Sequence, residues 1–292
     1  MTPITPETLR ATPLPRHRSG EDKTGRGVAL VVGGSVEVPG GALLAAVGAL
    51  RAGAGRLQVA TCASVAPGLA LAVPEALVMG LPEDEEGAIA GGNDRLFARA
   101  ARADAVLAGP GMFGGEAIGA LVAGLLEHAE AGAIVLDAGA LTGLADQRKE
   151  LRRHAGRVVL TPHAGEMARL LDTGREAVEA DPLEAAMRAA AALQCVVVMK
   201  GGITHVVTPD GSAAIFEGGT IGLATSGSGD TLAGVITGLL ARGSPPAVAA
   251  MWGVFLHGEA GCRLMRRHGG IGFLAGELLA EIPSIMAELS GE

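Results

Sequence analysis

The stretch VALVVGGSVEVPGGALLAAVGALRAGAGRLQVAT, residues 28–61, decides the fold of this chain. Its first part, 28–34, is an apolar run rich in valine that ends in two glycines, which predicts a buried strand followed by a sharp turn. Residues 40–55 then show helical spacing and a glycine-rich stop, and residues 56–61 read as the next strand. This order predicts a parallel pair of strands joined by a right-handed crossover.

The same alternation of strands and helices continues to the end of the chain. We predict strands at 104–111, 133–141, 157–166 and 195–202, a hairpin with a Pro-Asp-Gly turn at 204–218, and helices at 116–130, 181–193, 230–243, 246–265 and 274–289. The alternation predicts an α/β fold in which helices cover both faces of a mostly parallel central sheet. We expect one domain over residues 21–292, after an extended N-terminal arm, residues 1–20.

Composition excludes several classes of protein. Only 2% of the 292 residues are aromatic, tyrosine is absent and the net charge is −8, so we expect no nucleic-acid partner. The three cysteines form no CxxC pair, which is typical of reduced thiols. We see neither an apolar leader nor an uninterrupted apolar run of membrane-spanning length, so we expect no membrane association and a cytoplasmic location.

Glycine and polar residues gather where the predicted strands end. They occur at 33–35, 109–111, Asp137, 161–163 and 200–202. Ligands of open parallel sheets bind outside the carboxyl ends of the strands. The joint placement of these residues therefore predicts a binding site along this edge of the sheet.

The stretch GLATSGSGDTLAG, residues 222–234, is the strongest candidate site. Its glycines allow close approach of a ligand, and the unpaired N–H groups of a helix start favour phosphate oxygens. No GK[ST] follows and the first strand lacks GxGxxG, which disfavours a P-loop or dinucleotide-binding motif. Asp230 is either a first-turn acid that stabilises the helix or a general base for phosphoryl transfer. We expect the helix dipole to favour its ionised form.

Two motifs carry a resemblance to a known family. SGSGDTLAG, 226–234, resembles the GTGD anion-hole loop of the ribokinase-like superfamily, and TPHAGEMARLL, 161–171, is similar to the TPHPGE motif of ADP- or ATP-dependent NAD(P)H-hydrate dehydratases. Further matches follow in the family's order, from about residue 20 to the end: DKTGRG (22–27), VPEAL (73–77), LAGPGMFG (107–114), VLDAGAL (135–141), VVVMKGGITHVVTPDG (196–211) and LHGEAG (256–261). The resemblance implies a three-layer α/β/α ribokinase-like fold.

The resemblance also implies an activity in the repair of reduced nicotinamide cofactors. Such a lyase acts on the hydrated form, NAD(P)HX: it phosphorylates the added hydroxyl with ADP or ATP, ADP giving AMP, and phosphate then leaves to restore NAD(P)H. The family implies Mg²⁺ as cofactor and a homotetramer. Related proteins often carry an N-terminal epimerase domain; we expect no room for it here, and so only the dehydratase step.

Residue roles follow from the same resemblance. Asp230 would be the base on the substrate hydroxyl. Substrate binding is implied for Gly41, Ala42, Gly109, Gly111, His163 and Asp230, and nucleotide binding for Lys200, Gly201, Gly202, Ile203, Thr204, Gly227, Ser228 and Gly229. Glu166 would help to hold Mg²⁺ through water. Each role has a structural alternative: Lys200 would be a solvated lysine and His163 a hydrogen-bonded structural histidine. Residues 41, 42, 109 and 111 would serve turns and packing, and Glu166 would be an acid at a helix start.

Four departures from the family pattern bear on the site. The family's Asp-Ala-Asp is Asp-Ala-Gly here, ending at Gly139, and the proline of TPHPGE is Ala164. The family's Asn-Pro-Gly reads Thr-Ile-Gly at 220–222, and Ser226 replaces a glycine. We expect the first and third of these changes to affect the metal and nucleotide contacts more than the fold. Two other functions therefore stay open: a small-molecule kinase that stops at the phosphate ester, and a nucleotide-binding protein without catalysis.

Overall fold

The computed structural model describes residues 1–16, 23, 25–129 and 132–290, which contain one sheet of ten strands. The strands are β1 (Thr2–Pro3), β2 (Val28–Val32), β3 (Arg56–Cys62), β4 (Ala76–Leu81), β5 (Ala105–Ala108), β6 (Ala133–Leu136), β7 (Val158–Leu160), β8 (Val196–Met199), β9 (Thr204–Val207) and β10 (Ala213–Phe216). The α-helices are α1 (Pro6–Ala11), α2 (Pro39–Arg51), α3 (Ala66–Ala72), α4 (Asp94–Ala100), α5 (Glu116–His128), α6 (Arg148–Arg153), α7 (Ala164–Leu170), α8 (Arg175–Ala180), α9 (Pro182–Leu193), α10 (Ser228–Ala241), α11 (Pro246–His268) and α12 (Ala275–Ser290).

The sheet is mostly parallel, as the sequence predicts. Its order is β1-β10-β9-β8-β7-β6-β5-β2-β3-β4. Along this order, the seven strands β8, β7, β6, β5, β2, β3 and β4 are all parallel to one another. Strand β9 runs antiparallel to its two neighbours, β8 and β10. The connection order reverses between β2 and β5. This is the position at which a doubly wound sheet opens a crevice for ligands.

Helices cover both faces of the sheet, which confirms the three-layer arrangement. Side chains of successive strand residues point to opposite faces. In β2, Val31 belongs to a core formed with α2, α10 and α11, whereas Leu30 and Val32 belong to a second core formed with α5 and α9. Within the described residues, every helix is too short or too polar to span a lipid bilayer.

Small residues bring α2 and α10 into close contact. A Cβ on Gly234 would lie 2.2 Å from the Ala45 carbonyl oxygen, and one on Gly238 would lie 2.2 Å from that of Ala49. Even alanine would therefore push the helices apart. Because α10 is packed this tightly against α2, its first turn is held at the reversal point of the sheet.

The N-terminal segment is more structured than an extended arm. Residues 6–11 form α1, which Thr5 caps and which buries Leu9, and β1 pairs with β10 at the sheet edge. Proline and threonine suit a helix start as well as an extended chain, which is why composition misled here. Residues 17–20 of the predicted arm, and 22 and 24 of the DKTGRG match, lie outside the described residues.

Candidate active site

The first turn of α10 presents unpaired backbone donors. Gly227, the residue before the helix, has a φ of +84°, and a Cβ there would lie 2.4 Å from Leu44 Cδ1. The N–H groups of Gly229 and Asp230 have no hydrogen-bond partner among the described residues. Together with the positive end of the helix dipole, these donors suit an anion, and we refer to residues 227–230 as the anion-binding turn.

Asp230 is the third residue of α10, and its side chain does not cap the helix. Burial, followed by the charge of Asp137, raises the pKa of Asp230 to about 6, although Lys200 and the Gly111 N–H lower it and Glu166 raises it further. The helix dipole therefore does not dominate, contrary to the sequence-based expectation. A carboxylate with this pKa is ionised at pH 7 and still basic enough to accept a proton.

Lys200 is paired with Asp137. Its Nζ lies 2.8 Å from Asp137 Oδ1, which also accepts a 2.7 Å hydrogen bond from the Thr161 hydroxyl. The lysine side chain is 19% exposed and that of Asp137 is 2% exposed, so Lys200 is not a solvated strand-end lysine. Burial alone would lower the pKa of Lys200, but Asp137, Glu166 and Asp230 together raise it, so the ammonium stays charged.

The ammonium of Lys200 adjoins the anion-binding turn. A Cβ built on Gly229 would lie 3.2 Å from Lys200 Nζ. Glycine at this position therefore lets the cation approach the turn. The fixed charge of Lys200 and the free N–H groups of the turn converge on one place, which is the arrangement that stabilises charge on a transferring phosphoryl group.

His163 and Glu166 form a reciprocal cap at the start of α7. Nδ1 of His163 accepts hydrogen bonds from the N–H groups of Gly165 and Glu166 at 3.0 and 3.3 Å, and Glu166 Oε2 accepts the His163 N–H at 2.8 Å. The imidazole nevertheless remains 54% exposed. Its structural role thus leaves Nε2 near Glu166, 3.4 Å from Oε1, and most of the ring open to a ligand.

A cleft of about 780 Å³ lies beside the anion-binding turn at the start of α10. Seven residues from the predicted site line it: His163, Lys200, Gly201, Gly202, Thr204, Ser228 and Gly229. Its apolar wall includes Phe216, Leu223 and Val254. Such a volume suits a nucleotide-sized ligand. Ile203 lines a neighbouring cavity instead, and neither Gly227 nor Asp230 lines this cleft.

The residues predicted to bind substrate pack around the turn at 109–111. A Cβ on Gly41 would lie 2.6 Å from the Gly111 nitrogen, and one on Gly109 would lie 1.7 Å from the Asp137 carbonyl oxygen. Ala42 is fully buried. These contacts require small residues for packing alone, and the Gly111 backbone also lowers the pKa of Asp230. A direct role in substrate binding stays a prediction.

A smaller cleft of about 260 Å³ shares no lining residue with the first. It is lined by residues that include Phe113, Thr142, Glu166 and Arg169. Gly139 also lines it, and a Cβ there would lie 2.6 Å from the Met112 carbonyl oxygen. The missing second acid of the family's Asp-Ala-Asp therefore coincides with a position that has no space for a side chain.

The described residues contain no group of three or more His, Cys, Asp or Glu side chains placed to hold a metal ion. Glu166, the predicted metal residue, already accepts the His163 N–H, and its Oε2 lies 3.9 Å from Lys200 Nζ. A magnesium ion prefers several water ligands together with substrate phosphates. Glu166 therefore fits an ion held through water rather than one bound directly.

One contact at the site was not predicted from the sequence. Ser228 Oγ lies 2.9 Å from Nε2 of His257, and His257 lines the large cleft. The LHGEAG match included this histidine but gave it no role. The signal available in the sequence was a histidine directly after the apolar run of residues 246–256 that forms the first half of α11.

The sheet and its anion-binding turn define a ribokinase-like protein. A ribokinase-like superfamily protein from Enterococcus faecalis matches the structure with a TM-score of 0.83 and 25% identity, over 100% of this chain and 97% of that one. The chain belongs to the NAD(P)H-hydrate dehydratase family, whose model matches residues 29–284.

Individual family members support this assignment. The chain is 50% identical, over 98% of its length and 96% of the relative's, to an ADP-dependent (S)-NAD(P)H-hydrate dehydratase of Xanthomonas campestris. A structure of the ADP/ATP-dependent enzyme from Bacillus subtilis, co-crystallised with ATP and Mg²⁺, matches with a TM-score of 0.80 and 31% identity, over 99% and 98% of the two chains. The chain spans only 53 to 54% of three bifunctional NAD(P)H-hydrate repair enzymes that it also resembles.

Proposed function

We propose that this chain converts hydrated NAD(P)HX to NAD(P)H with ADP or ATP as phosphoryl donor. One observation carries the proposal: Asp230 is a non-capping carboxylate with a pKa of about 6, placed on a turn with free N–H groups next to the Lys200 ammonium. A helix cap needs neither the raised pKa nor the adjacent cation. A base for phosphoryl transfer uses both.

In the first step, Asp230 accepts the proton of the substrate hydroxyl while that oxygen attacks the terminal phosphoryl group of the donor. A new P–O bond forms between the substrate oxygen and the transferred phosphorus. The P–O bond between that phosphorus and the rest of the nucleotide breaks, so that ADP departs as AMP. In the second step, the ring nitrogen's electrons expel phosphate from carbon, and the resulting cation loses a proton from the adjacent ring carbon to the departing phosphate, which restores the reduced nicotinamide. Phosphorylation is needed because hydroxide is a much poorer leaving group than phosphate.

The chain's own groups stabilise charge during this transfer. The N–H groups of Gly229 and Asp230 and the ammonium of Lys200 would face the negative oxygens of the phosphoryl group. Magnesium, when bound to the donor phosphates, supplies further neutralisation, and Glu166 would contact it through water. The nucleotide would occupy the 780 Å³ cleft, with His163 reaching the substrate. The predicted nucleotide-binding residues that line this cleft are Lys200, Gly201, Gly202, Thr204, Ser228 and Gly229.

The finer properties belong to this proposal as well. We place Gly41, Ala42, Gly109 and Gly111 at the substrate side of Asp230, because their packing sets the position of the Gly111 N–H. The homotetramer, the cytoplasmic location and the single domain over residues 21–292 remain predictions from the sequence.

The test measures formation of NAD(P)H absorbance from NADHX and NADPHX, with ADP and ATP side by side, with and without Mg²⁺. Nucleotide-dependent recovery of NAD(P)H supports the proposal. A stable phosphate ester would instead identify a kinase, and nucleotide binding without any turnover would identify a binding protein. Either of these two results would overturn the proposed function.

A further inference from the structure

A buried polar contact joins two helices at the edge of the nucleotide cleft. Ser228, the first residue of α10, and His257, near the middle of α11, are 4% and 9% exposed, and both line the cleft. Their Oγ and Nε2 atoms lie 2.9 Å apart. The proposed chemistry leaves this contact, and the LHGEAG motif at 256–261, without a role.

The histidine is neutral at physiological pH. Burial, aided by the positive charge of Lys200, lowers the pKa of His257 to about 4, although the Ser228 backbone acts in the opposite direction. A neutral imidazole has one donor and one acceptor nitrogen. His257 therefore cannot act as a charged group toward phosphate, and its contact with Ser228 is a bond between uncharged partners.

The contact fixes Ser228 in the anion-binding turn. Ser228 precedes Gly229 and Asp230 directly, and its own N–H donates to the Thr225 carbonyl at 3.2 Å. The side-chain bond to His257 is thus the second restraint on this residue, and it comes from a different helix. A displacement of about 1 Å in a reacting group can reduce the rate by about 100-fold.

We propose that His257 is a positioning residue for phosphoryl transfer. Its ring holds Ser228 so that the free N–H groups of Gly229 and Asp230, and the Asp230 carboxylate, face the transferring group. A nucleotide in the cleft would cover this bond and keep water from competing for it. The inference rests on the proposed function and adds to it a residue that acts through the turn and does not touch the phosphoryl group.

The test compares His257→Phe, Ser228→Ala and the double variant in the full-length protein. The two single variants remove the same bond, so each should lower kcat about 10- to 100-fold, and His257→Phe should change the nucleotide KM by less than about threefold. The double variant should be no slower than the slower single variant, because the two residues act as one unit. His257→Gln, which keeps a polar group within reach of Ser228, should recover part of the rate.

His154 provides a matched control. It is buried, its Nε2 lies 2.6 Å from the Leu126 carbonyl oxygen, burial lowers its pKa, and it lines none of the clefts described above. His154→Phe should reduce the melting temperature and leave kcat unchanged. A histidine with only a structural role at position 257 would behave in the same way.

One result overturns this inference: His257→Phe with the kcat of the wild type, whether or not its nucleotide KM is raised. If His257→Phe does not fold, Ser228→Ala decides by the same criteria. A wild-type protein without dehydratase activity would instead contradict the proposed function. An active wild type whose variants are equally fast contradicts the positioning role alone.

Discussion

Asp137 holds Lys200 beside the first turn of α10, with 2.8 Å between Oδ1 and Nζ. The two residues follow β6 and β8, and Thr161, which follows the intervening β7, bonds the same carboxylate oxygen. Three neighbouring strand ends thus build one buried ion pair. Burial is the main cause of the raised pKa of Asp230, and the ion pair adjusts it further, because Asp137 raises this pKa and Lys200 lowers it.

Replacement of the lysine should change stability and pH dependence together. Lys200→Met leaves the Asp137 charge buried without its cation, which should destabilise the protein by about 3 kcal/mol. Asp230 would then lie near the carboxylates of Asp137 and Glu166 without the Lys200 ammonium. The pKa of Asp230 should therefore rise. We expect the acid limb of kcat/KM to move upward, measured in pH–rate profiles, and denaturant unfolding to report the stability loss.

Arg175→Met is the control for that experiment. Arg175 and Glu179 form an exposed i,i+4 pair at 2.7 Å, whose removal should cost less than about 1 kcal/mol. It should leave the pH profile unchanged. An acid limb that stays in place in Lys200→Met would contradict the electrostatic role assigned to the lysine.

Asp230→Asn should remove the proposed base with little change in shape. We expect kcat to fall about 100- to 10,000-fold, while nucleotide binding, measured by calorimetry, stays within a few-fold of the wild type. Asp210→Asn, in the exposed hairpin turn, is the matched control and should retain full activity. Equal activity of the two variants would leave Asp230 as a helix-start acid and nothing more.

The pH dependence of the wild type follows from the same carboxylate. Because its pKa is about 6, kcat/KM should be level near pH 7 to 8 and fall about tenfold for each pH unit below 6. An acid limb centred near pH 4 would show that burial does not raise the pKa of the reacting group. The measurement needs short assays, since reduced nicotinamides decompose in acid.

Stability should show the cost of this partly buried carboxylate. The folded-state pKa lies above the unfolded value, so ionisation of Asp230 opposes folding at neutral pH. Asp230→Asn should therefore be more stable than the wild type at pH 7, by up to about 3 kcal/mol. The gain should shrink as the pH falls from about 6 towards 4 and vanish below about pH 3, where the wild-type carboxyl is protonated in both the folded and the unfolded state. Denaturant unfolding at several pH values measures it.

The parallel core of the fold was predictable because its strands are short, fully apolar runs between helices. The edge strands were harder to predict. Strand β1 has only two residues. The sequence of β4, ALVMGL, shows no alternation of apolar and polar residues. It also contains Gly80, where a Cβ would lie 2.8 Å from Ala63 Cα. Short helices such as α3 and α8 span less than two turns and offer little periodicity to detect.

The location of the site was predictable from the sequence, but the contacts between its side chains were not. Strand ends indicated that Asp137 and Lys200 lie at one edge, yet their pairing depends on side-chain geometry across 63 positions of sequence. The raised pKa of Asp230 depends on burial by distant elements, whereas the local sequence shows only a helix start. The contact between Ser228 and His257 likewise requires α10 and α11 to be packed side by side.

Gly229→Ala tests whether the lysine must approach the turn. The new methyl group would lie 3.2 Å from Lys200 Nζ, so the ammonium must move by a few tenths of an ångström away from the phosphoryl position. We expect nucleotide KM to rise and kcat/KM to fall about tenfold, while folding is unaffected because alanine favours helices. Gly68→Ala, in α3 with no atom within 4 Å of the new methyl group, is the control and should have wild-type kinetics. Identical kinetics for the two variants would show that the closeness of Lys200 to Gly229 has no part in catalysis.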